Sequence, residues 1–364
     1  MSIRRFAAAL LAGALSLGLL AGCGASGSPA GEAGKAQRYS TVFYDAFDTV
    51  TQVIAYCSSE KEFSAQMEAL HADLLEYHQL YDIYNDYDGV VNIKTINDNA
   101  GKAPVQVDEK ILGMLELARQ MYHTTGGKLN IAMGSVLSIW HDYREAAEAA
   151  DTEADNRLPS RQELEAAAQH CSISDLVIDE AAGTVYLADP EMSLDVGSVG
   201  KGYAVEMAAR AAQARGLTSA LISVGGNLRA IGTKPDGSQW SGGVEDPWNS
   251  SAVYTAGSSY VSGVNMSDMA LVTSGNYQRF YVVEGQRYHH LIDPDTLWPA
   301  RYFDSVSVLS PDSGIADCLS TGLFCMPLEQ GKALVESLEG VEALWCTPEG
   351  QVIRSSGWAG REKK

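Results

Sequence analysis

One stretch reads YHHLIDPDTLWPA (residues 288–300), continues as a strand-like run over residues 303–309, and ends in GIADCLSTGLF (residues 314–324). It predicts a strand, a Pro-Asp turn, a second strand and a helix in close succession. His290 and Asp293 lie beside the turn. Interleaved strands and helices of this kind indicate an α+β fold.

The start of the expected helix carries two oxygen-bearing side chains, Asp317 and Thr321, four residues apart. Residues i and i+4 share one helix face, so this carboxylate and hydroxyl could hold one hard cation. The alternative is a helix-cap arrangement, because an Asp near a helix start is stabilised by the helix dipole. An imidazole, an acidic turn and an oxygen pair together indicate metal-assisted phosphoryl chemistry rather than simple binding.

The rest of the chain extends the same pattern. No internal repeat or long linker divides residues 40–355, so we expect one α+β domain there, with residues 356–364 as a tail. Apolar spacing and stop signals predict helices at 60–81, 108–123, 202–216, 314–326 and 328–338. Strands are expected over 40–56 with a break at Asp48-Thr49, as a hairpin over 175–189, and at 219–224, 228–233, 239–245, 253–256, 270–274, 279–283 and 303–309, with two short strands closing the chain.

The N-terminus has the layout of a secretory signal, with Arg4-Arg5 before an apolar run over residues 6–20. That run is shorter than the roughly 20 apolar residues of a membrane span. Residues 20–23 (LAGC) resemble a bacterial lipobox, and a Gly/Ser/Ala tether follows. We therefore expect a lipoprotein signal peptide over 1–22, lipidation at Cys23, a tether over 23–39, and an exported protein held by lipid at the extracytoplasmic face of the cell membrane. The alternative is an ordinary cleavage site with a chance cysteine.

The formal charge of the 364-residue chain is −20, and loss of residues 1–22 with their two arginines would make it −22. Such a surface repels nucleic acid and acidic lipid headgroups, which argues against both as direct partners. Besides Cys23 there are five cysteines, an odd number without a C-x-x-C pair, so a full disulfide framework is excluded.

Two glycine-rich segments could approach a ligand closely. DVGSVGKGY (residues 195–203) is expected to open a helix, whose free N–H groups favour an anion such as phosphate. It is not a Walker A loop, because Asp195 replaces its first Gly and Gly202 its Ser/Thr. The second segment contains Gly225-Gly226. Each could equally serve only a tight turn or a bulge.

Two further features have structural alternatives. Residues 84–95 imitate a calcium loop, but Tyr84 and Thr95 stand where Asp and Glu are needed, so calcium is rejected. Tyr84 instead offers a ring for stacking on a flat ligand, or packs at the edge of the core. A strand would direct His289 and His290 to opposite faces, so only one can face a site, and either could be a structural imidazole.

Taken in order, the motifs are more specific. The chain resembles the ApbE-type FAD:protein FMN transferases, exported flavin-handling lipoproteins, over residues 40–350. The family's strings appear here as seven ordered blocks: YDIYND (81–86), TGGKLNIAMGSVLSIW (125–140), SLDVGSVGKGYAVE (193–206), ISVGGNLRAIG (222–232), LVTSGNYQRFY (271–281), YHHLIDPDTLWPA (288–300) and ADCLSTGLF (316–324). The resemblance implies a T-fold-like domain with mixed or antiparallel sheets and flanking helices.

The resemblance also implies the site residues. The magnesium ligands would be the Gly200 carbonyl and the side chains of Asp317 and Thr321, with Ser320 near the ion. The FAD contacts would be Phe47, Tyr84, Lys128, Leu129, Asn130, Gly197, Tyr203 and Ile292. His290 matches the proposed catalytic base.

Some positions depart from the family pattern. Leu129-Asn130-Ile131-Ala132 stands where Phe-Asp-Pro-Thr is frequent, so Asn130 replaces a carboxylate. Phe47-Asp48-Thr49 replaces Met-Gly-Thr, Thr296-Leu297 replaces Thr-Gly after the Asp-Pro turn, and Gly200 replaces a frequent Ala. Asn130 concerns the geometry of flavin binding rather than the metal site, and Gly200 changes nothing if only its carbonyl is used.

The implied reaction is magnesium-dependent transfer of FMN from FAD to a Ser/Thr hydroxyl of an acceptor flavoprotein, with release of AMP. The acceptors would be membrane or extracytoplasmic redox proteins with a Ser/Thr-Gly-Ala-type motif. The same residues would serve a magnesium-dependent FAD pyrophosphatase, in which water replaces the hydroxyl. A flavin-binding lipoprotein without turnover is the alternative from another class.

Overall fold

The computed structural model describes residues 36–249 and 259–363. The α+β prediction is confirmed, and every strand pair is antiparallel. The helices are α1 (Glu60–Tyr81), α2 (Ile93–Asp98), α3 (Glu109–Thr124), α4 (Gly134–Ala149), α5 (Arg161–Ala167), α6 (Gly200–Ala214), α7 (Ser313–Phe324) and α8 (Leu328–Glu336). The strands are β1 (Gln37–Ala46), β2 (Thr49–Cys57), β3 (Val105–Gln106), β4 (Leu176–Asp179), β5 (Thr184–Leu187), β6 (Ala220–Val224), β7 (Asn227–Ile231), β8 (Trp240–Glu245), β9 (Tyr260–Met266), β10 (Ala270–Gly275), β11 (Phe280–Val283), β12 (Gln286–His289), β13 (Ser305–Ser310), β14 (Glu342–Cys346) and β15 (Val352–Arg354).

An eight-stranded sheet in the order β1-β2-β6-β7-β10-β13-β14-β15 organises the domain. Its β10 and β13 strands place Val272 and Val308 against α7, in the largest apolar cluster. Alternate residues of the same strands, Leu271 and Leu309, face a second cluster with the β8–β9 hairpin. The sheet is therefore covered on both faces, by helices on one and by a hairpin on the other.

Helix α1 forms where its apolar spacing predicts. Phe63, Met67, Leu70 and Leu74 are buried along one face, and the Ser59 side chain caps the first turn by accepting from the Glu62 N–H at 3.2 Å. Helix α7 is different, because most of its residues are buried on all sides. An apolar helix of that kind belongs inside the molecule rather than on its surface.

Helix α7 begins earlier than the sequence predicts. Asp312 is the N-cap and its side chain accepts from the Ile315 N–H at 3.0 Å. Asp317 therefore lies inside the helix and is not a cap, which removes the structural alternative for the Asp317/Thr321 pair. The pair does share one face of one helix, as expected.

The segment over residues 40–56, expected as one broken strand, forms two separate strands. β1 and β2 form a hairpin whose turn is Phe47-Asp48, and both turn residues have positive φ, 56° and 50°. β1 begins at Gln37, so the last residues of the expected 23–39 tether belong to the sheet. Signal peptide 1–22, Cys23 and the strand expected at 253–256 lie outside the described residues.

At the other end, the expected tail over 356–364 contains Trp358, which is 0% exposed in the cluster beneath β8 and β9. β9 was not predicted. The five cysteines Cys57, Cys171, Cys318, Cys325 and Cys346 are free thiols. Among residues 36–249 and 259–363, none of the helices combines the length and apolar character needed to cross a membrane.

Candidate active site

The site is centred where the first turn of α6 crosses α7. The Gly202 N–H donates to Asp317 Oδ2 at 2.7 Å. A Cβ on Gly202 would lie 2.3 Å from Asp317 Cβ and 2.4 Å from the Ser313 carbonyl, so only glycine permits this approach. The glycine-rich segment thus brings backbone donors against a carboxylate, which is more than a tight turn requires.

Asp317 is buried, with 6% of its surface exposed. Burial raises the pKa of its carboxyl group, which the charge of Lys201 and the Gly202 N–H oppose. Thr321 lies one turn further along the same helix face. A carboxylate and a hydroxyl in a desolvated position suit a hard cation such as Mg²⁺, since a cation stabilises the charge that burial disfavours.

Ser320, expected near the ion, has two hydrogen-bond partners. Its hydroxyl donates to the Asp317 carbonyl at 2.9 Å within α7 and pairs with the Ser274 hydroxyl of β10 at 2.8 Å. No cluster of three or more His, Cys, Asp or Glu side chains suited to a metal occurs within the described ranges. A cation at Asp317 would therefore depend on hydroxyl and carbonyl oxygens, such as Thr321 and Gly200.

Two cationic side chains are linked electrostatically to this position, Lys201 to Asp317 and Arg279 to Lys201. Burial lowers the pKa of the Lys201 ammonium group, which the carboxylate of Asp317 opposes and the charge of Arg279 reinforces. Arg279 also acts on His290 and on Tyr84. The sequence reasoning did not include Lys201 or Arg279. Both lie within sequence blocks that resemble the family, residues 193–206 and 271–281. The presence of a basic residue in each block could have indicated a role at the site.

The two adjacent histidines have separate roles, as their positions at the end of β12 predicted. His289 is buried, accepts from the Leu291 N–H through Nδ1 at 3.2 Å, and pairs through Nε2 with the Ala300 carbonyl at 2.8 Å. Because burial disfavours the imidazolium, the pKa of His289 falls to about 4. His289 is the structural imidazole.

His290 is half-buried and is fixed by one carbonyl. Its backbone N–H and its Nδ1 both lie 3.2 Å from the Arg279 carbonyl oxygen. A carbonyl only accepts, so Nδ1 carries the proton and Nε2 keeps its lone pair. Burial, reinforced by the charge of Arg279, lowers the pKa of His290 to about 3. The ring is therefore a neutral imidazole with a defined free acceptor.

A third group of side chains surrounds Asp195. Its Oδ1 accepts from the Gly197 N–H at 2.8 Å, and burial raises the pKa of its carboxyl group. Tyr84, 58% exposed, stacks on His141 with ring centroids 5.1 Å apart and planes 27° apart. Burial of its hydroxyl raises the pKa of Tyr84 to about 12, reinforced by the charge of Asp195. Tyr84 and Gly197 thus border one polar region, with an aromatic face available for stacking.

The remaining expected flavin contacts have structural partners. The Lys128 ammonium lies 2.8 Å from both Asp293 Oδ1 and Asp295 Oδ2, which ties residues 125–130 to the Pro-Asp turn. Asn130 performs a capping role that a carboxylate would also serve, since its Oδ1 accepts from the Ala132 N–H at 3.0 Å. Leu129 and Ile292 are buried, so they can meet a ligand mainly through their backbone.

Tyr203 and Phe47 each contact a ring of helix α1. The ring of Tyr203 packs edge-on against Tyr81, with 6.4 Å between centroids, and its hydroxyl occupies the space beside Gly113. Phe47 is half-buried at the β1–β2 turn and contacts the ring of His78 edge-on at 5.6 Å. Hydrogen bonds and electrostatic effects connect Gly202, Lys201, Arg279, His290 and Asp317, whereas Tyr203 is held chiefly by packing.

Comparison with known proteins gives one consistent result. The model of the ApbE family matches residues 47–345. A FAD:protein FMN transferase of Treponema pallidum is 33% identical over 274 residues, 73% of each chain, and one of Klebsiella pneumoniae is 28% identical over 269 residues, 72% of this chain and 77% of the relative. The structure of the ApbE protein of Thermotoga maritima is similar with a TM-score of 0.77 at 28% identity, covering 90% of this chain and 100% of that one. The flavin transferase ApbE of Vibrio cholerae has the same fold, with a TM-score of 0.73 at 23% identity, covering 90% and 99%.

Proposed function

Because the chain belongs to the ApbE family of flavin transferases, we propose that it transfers FMN from FAD to a Ser or Thr hydroxyl of an acceptor flavoprotein, with magnesium required and AMP released. The observation that carries this proposal is the α6–α7 crossing, where the Gly202 N–H and the buried Asp317 meet beside Lys201. The positive charges of Lys201 and Arg279 favour an anionic phosphate group here, and the buried Asp317, held by the Gly202 N–H, would bind the accompanying cation.

The oxygen donors for the metal would be the Asp317 carboxylate, the Thr321 hydroxyl and the Gly200 carbonyl. A bound magnesium ion supplies Lewis-acid stabilisation of the negative charge on the pyrophosphate. The chain's own contribution is to keep this carboxylate desolvated and fixed by the Gly202 N–H, so that no reorganisation is needed when the substrate binds.

Lys201 and Arg279 would complement the phosphate charges. Both side chains act electrostatically on the groups around the site, Lys201 on Asp317 and Arg279 on His290. Their positive charges favour binding of the dianionic pyrophosphate and oppose its repulsion of an approaching hydroxyl oxygen.

His290 would act as general base. The acceptor hydroxyl oxygen forms a bond to the FMN phosphorus, its proton passes to His290 Nε2, and the bond from that phosphorus to the bridging oxygen breaks, so that AMP leaves. The low pKa of free His290 comes from burial and from the charge of Arg279. Because the negative charge of the substrate offsets the charge of Arg279 and favours the imidazolium, it would raise this pKa and make the imidazole a stronger base.

The same proposal includes the location of the enzyme. Residues 1–22 would direct export, and a lipid on Cys23 would hold the domain at the extracytoplasmic membrane face, close to flavin-carrying acceptors with a Ser/Thr-Gly-Ala-type motif. The lipobox-like LAGC before Cys23 and the tether after it support this. Contact with the membrane through the lipid alone is consistent with the formal charge of −20.

The test combines the purified protein, FAD, magnesium and an acceptor domain that carries the motif. We expect the acceptor to gain the mass of FMN, the gain to be lost in Asp317→Asn, and His290→Ala to reduce the rate by roughly 10²–10⁴-fold. Asn keeps an acceptor for the Gly202 N–H, so Asp317→Asn separates loss of charge from loss of structure. If FMN and AMP are released and the acceptor is not labelled, the protein is a pyrophosphatase instead. If neither labelled acceptor nor free FMN and AMP form, the protein only binds flavin.

A further inference from the structure

The β1–β2 turn is held in an unfavourable backbone conformation by helix α1. Both Phe47 and Asp48 have positive φ, which glycine and asparagine adopt more readily. The Phe47 N–H donates to His78 Nδ1 at 3.2 Å, and the Phe47 ring lies edge-on to the same imidazole. His78 thus fixes both the backbone and the ring of Phe47.

The protonation of His78 follows from its partners. A backbone N–H only donates, so Nδ1 must be the acceptor and the neutral ring carries its proton on Nε2. Nε2 lies 3.3 Å from the Tyr87 hydroxyl, which in turn donates to Asp82 Oδ2 at 2.7 Å. Phe47, His78 and Tyr87 therefore each donate to the next group in the series, and the Asp82 carboxylate accepts from Tyr87 at its end.

The series ends at the loop that presents Tyr84. Asp82 Oδ1 accepts from the Tyr84 N–H at 2.6 Å and from the Asn85 N–H at 3.0 Å. One continuous hydrogen-bonded path thus joins the backbone of Phe47, on a sheet hairpin, to the backbone of Tyr84, on the loop after α1. These two aromatic residues are distant in sequence and share no other connection of this kind in the described contacts.

We propose that His78 is a positioning residue for the flavin: it sets the spacing of Phe47 and Tyr84, so that both rings can meet one flavin. This inference rests on the proposed function, in which Phe47 and Tyr84 contact FAD. His78 itself touches no reacting atom in this scheme. It acts on FAD affinity, while phosphate chemistry depends on the α6–α7 crossing.

Helix α1 contains a matched control. His71 lies two turns before His78 on the same face, pairs with Asp45 at 2.7 Å, and stacks on Phe43 of β1 with centroids 4.3 Å apart. It therefore also joins α1 to the hairpin through an imidazole and an aromatic ring. It has no hydrogen bond to Phe47, Tyr87 or Asp82.

The experiment measures FAD affinity of the full chain by flavin fluorescence, with EDTA present to prevent turnover, for the wild type and Phe47→Ala, His78→Leu, His78→Asn, His78→Gln and His71→Leu. We expect His78→Leu to weaken binding roughly tenfold, as loss of a hydrogen bond does. His78→Asn keeps an acceptor at the Nδ1 position and should bind within roughly twofold of wild type, whereas His78→Gln should not. With magnesium, His78→Leu should raise the KM for FAD and leave kcat at saturating FAD unchanged, and His71→Leu should change neither.

The outcomes separate the two proposals. If the wild type binds no FAD, or Phe47→Ala binds as tightly as wild type, the proposed flavin contacts fail and this inference fails with them. If Phe47→Ala weakens binding but His78→Leu does not, or if His71→Leu weakens it equally, only the role of His78 is overturned. Should His78→Leu fail to fold, the comparison of His78→Asn with His78→Gln decides, and equal affinities would overturn the inference.

Discussion

At the scale of single residues, two neighbouring imidazoles make stability depend on pH. Burial is the main cause that lowers the pKa of His289 to about 4 and of His290 to about 3, from an ordinary value of 6.5. Between these values the unfolded chain binds protons that the folded chain does not. The contribution of the two neutral imidazoles to stability is therefore complete at a pH above their ordinary pKa. It is lost as the pH falls from there toward their pKa values in the folded protein.

We predict that lowering the pH from about 7.5 to about 5 reduces the free energy of unfolding more in the wild type than in the double variant His289→Gln/His290→Gln. Glutamine does not titrate, so the variant lacks this component. Urea titrations at both pH values measure the free energy of unfolding of each protein. The two single variants show how much of the pH dependence comes from each histidine. Equal pH dependence in wild type and double variant would contradict the assignment of two neutral rings with lowered pKa values.

The sequence pattern predicted which oxygen-bearing residues share a helix face better than it predicted what surrounds those residues in the fold. The i, i+4 spacing of Asp317 and Thr321 correctly placed them on one helix face. The spacing could not show that Asp317 is buried, with 6% of its surface exposed. Burial depends on which elements cover α7, information that a local pattern lacks. The remote partners of His290 and Lys128 were missing for the same reason.

At the scale of elements, the crossing of α6 and α7 depends on Gly202. We predict that Gly202→Ala lowers stability by about 1–3 kcal/mol and abolishes magnesium-dependent transfer, because the added Cβ would overlap Asp317 and the Ser313 carbonyl. In an unobstructed helix the same change would stabilise by about 1 kcal/mol, so the sign of the effect is diagnostic.

Gly331→Ala is the matched control for that change. Gly331 also lies in a helix that faces α7, but its nearest neighbour would be the end of the Leu323 side chain at 3.3 Å, which can move. Urea unfolding and transfer assays should show this variant equal to or slightly more stable than wild type, with normal activity. An active, stable Gly202→Ala protein would refute the close-approach argument.

Elements with strong periodicity were predictable, and irregular connections were not. Helix α1 was expected at residues 60–81 and forms there, since its apolar face and its cap agree. The Phe47-Asp48 turn was read only as a break in one strand, because it lacks the Asn-Gly or Asp-Gly signal of a two-residue hairpin. Its conformation is imposed by His78 and the sheet, which lie far away in the sequence.

At the scale of the whole molecule, the C-terminus closes one face of the sheet. Trp358 is fully buried beside β8 and β9, and its Nε1–H donates to the Ser262 hydroxyl at 3.1 Å. We predict that Trp358→Ala reduces the free energy of unfolding by about 3–5 kcal/mol, as loss of a large core side chain does. Urea titration measures the loss, and replacement of the exposed Arg361 by Ala should change stability little. A Trp358→Ala protein as stable as wild type would restore the view of residues 356–364 as a tail.

The free thiols determine how this protein responds to oxidants. Four of the five described cysteines are buried, and burial raises the pKa of the remaining one, Cys171, to about 11. Thiol–disulfide exchange requires an accessible thiolate. Oxidants that crosslink exposed thiols therefore have no ready nucleophile to capture among the described cysteines. The covalent structure of the described part of the chain can therefore remain the same in reducing and in oxidising surroundings.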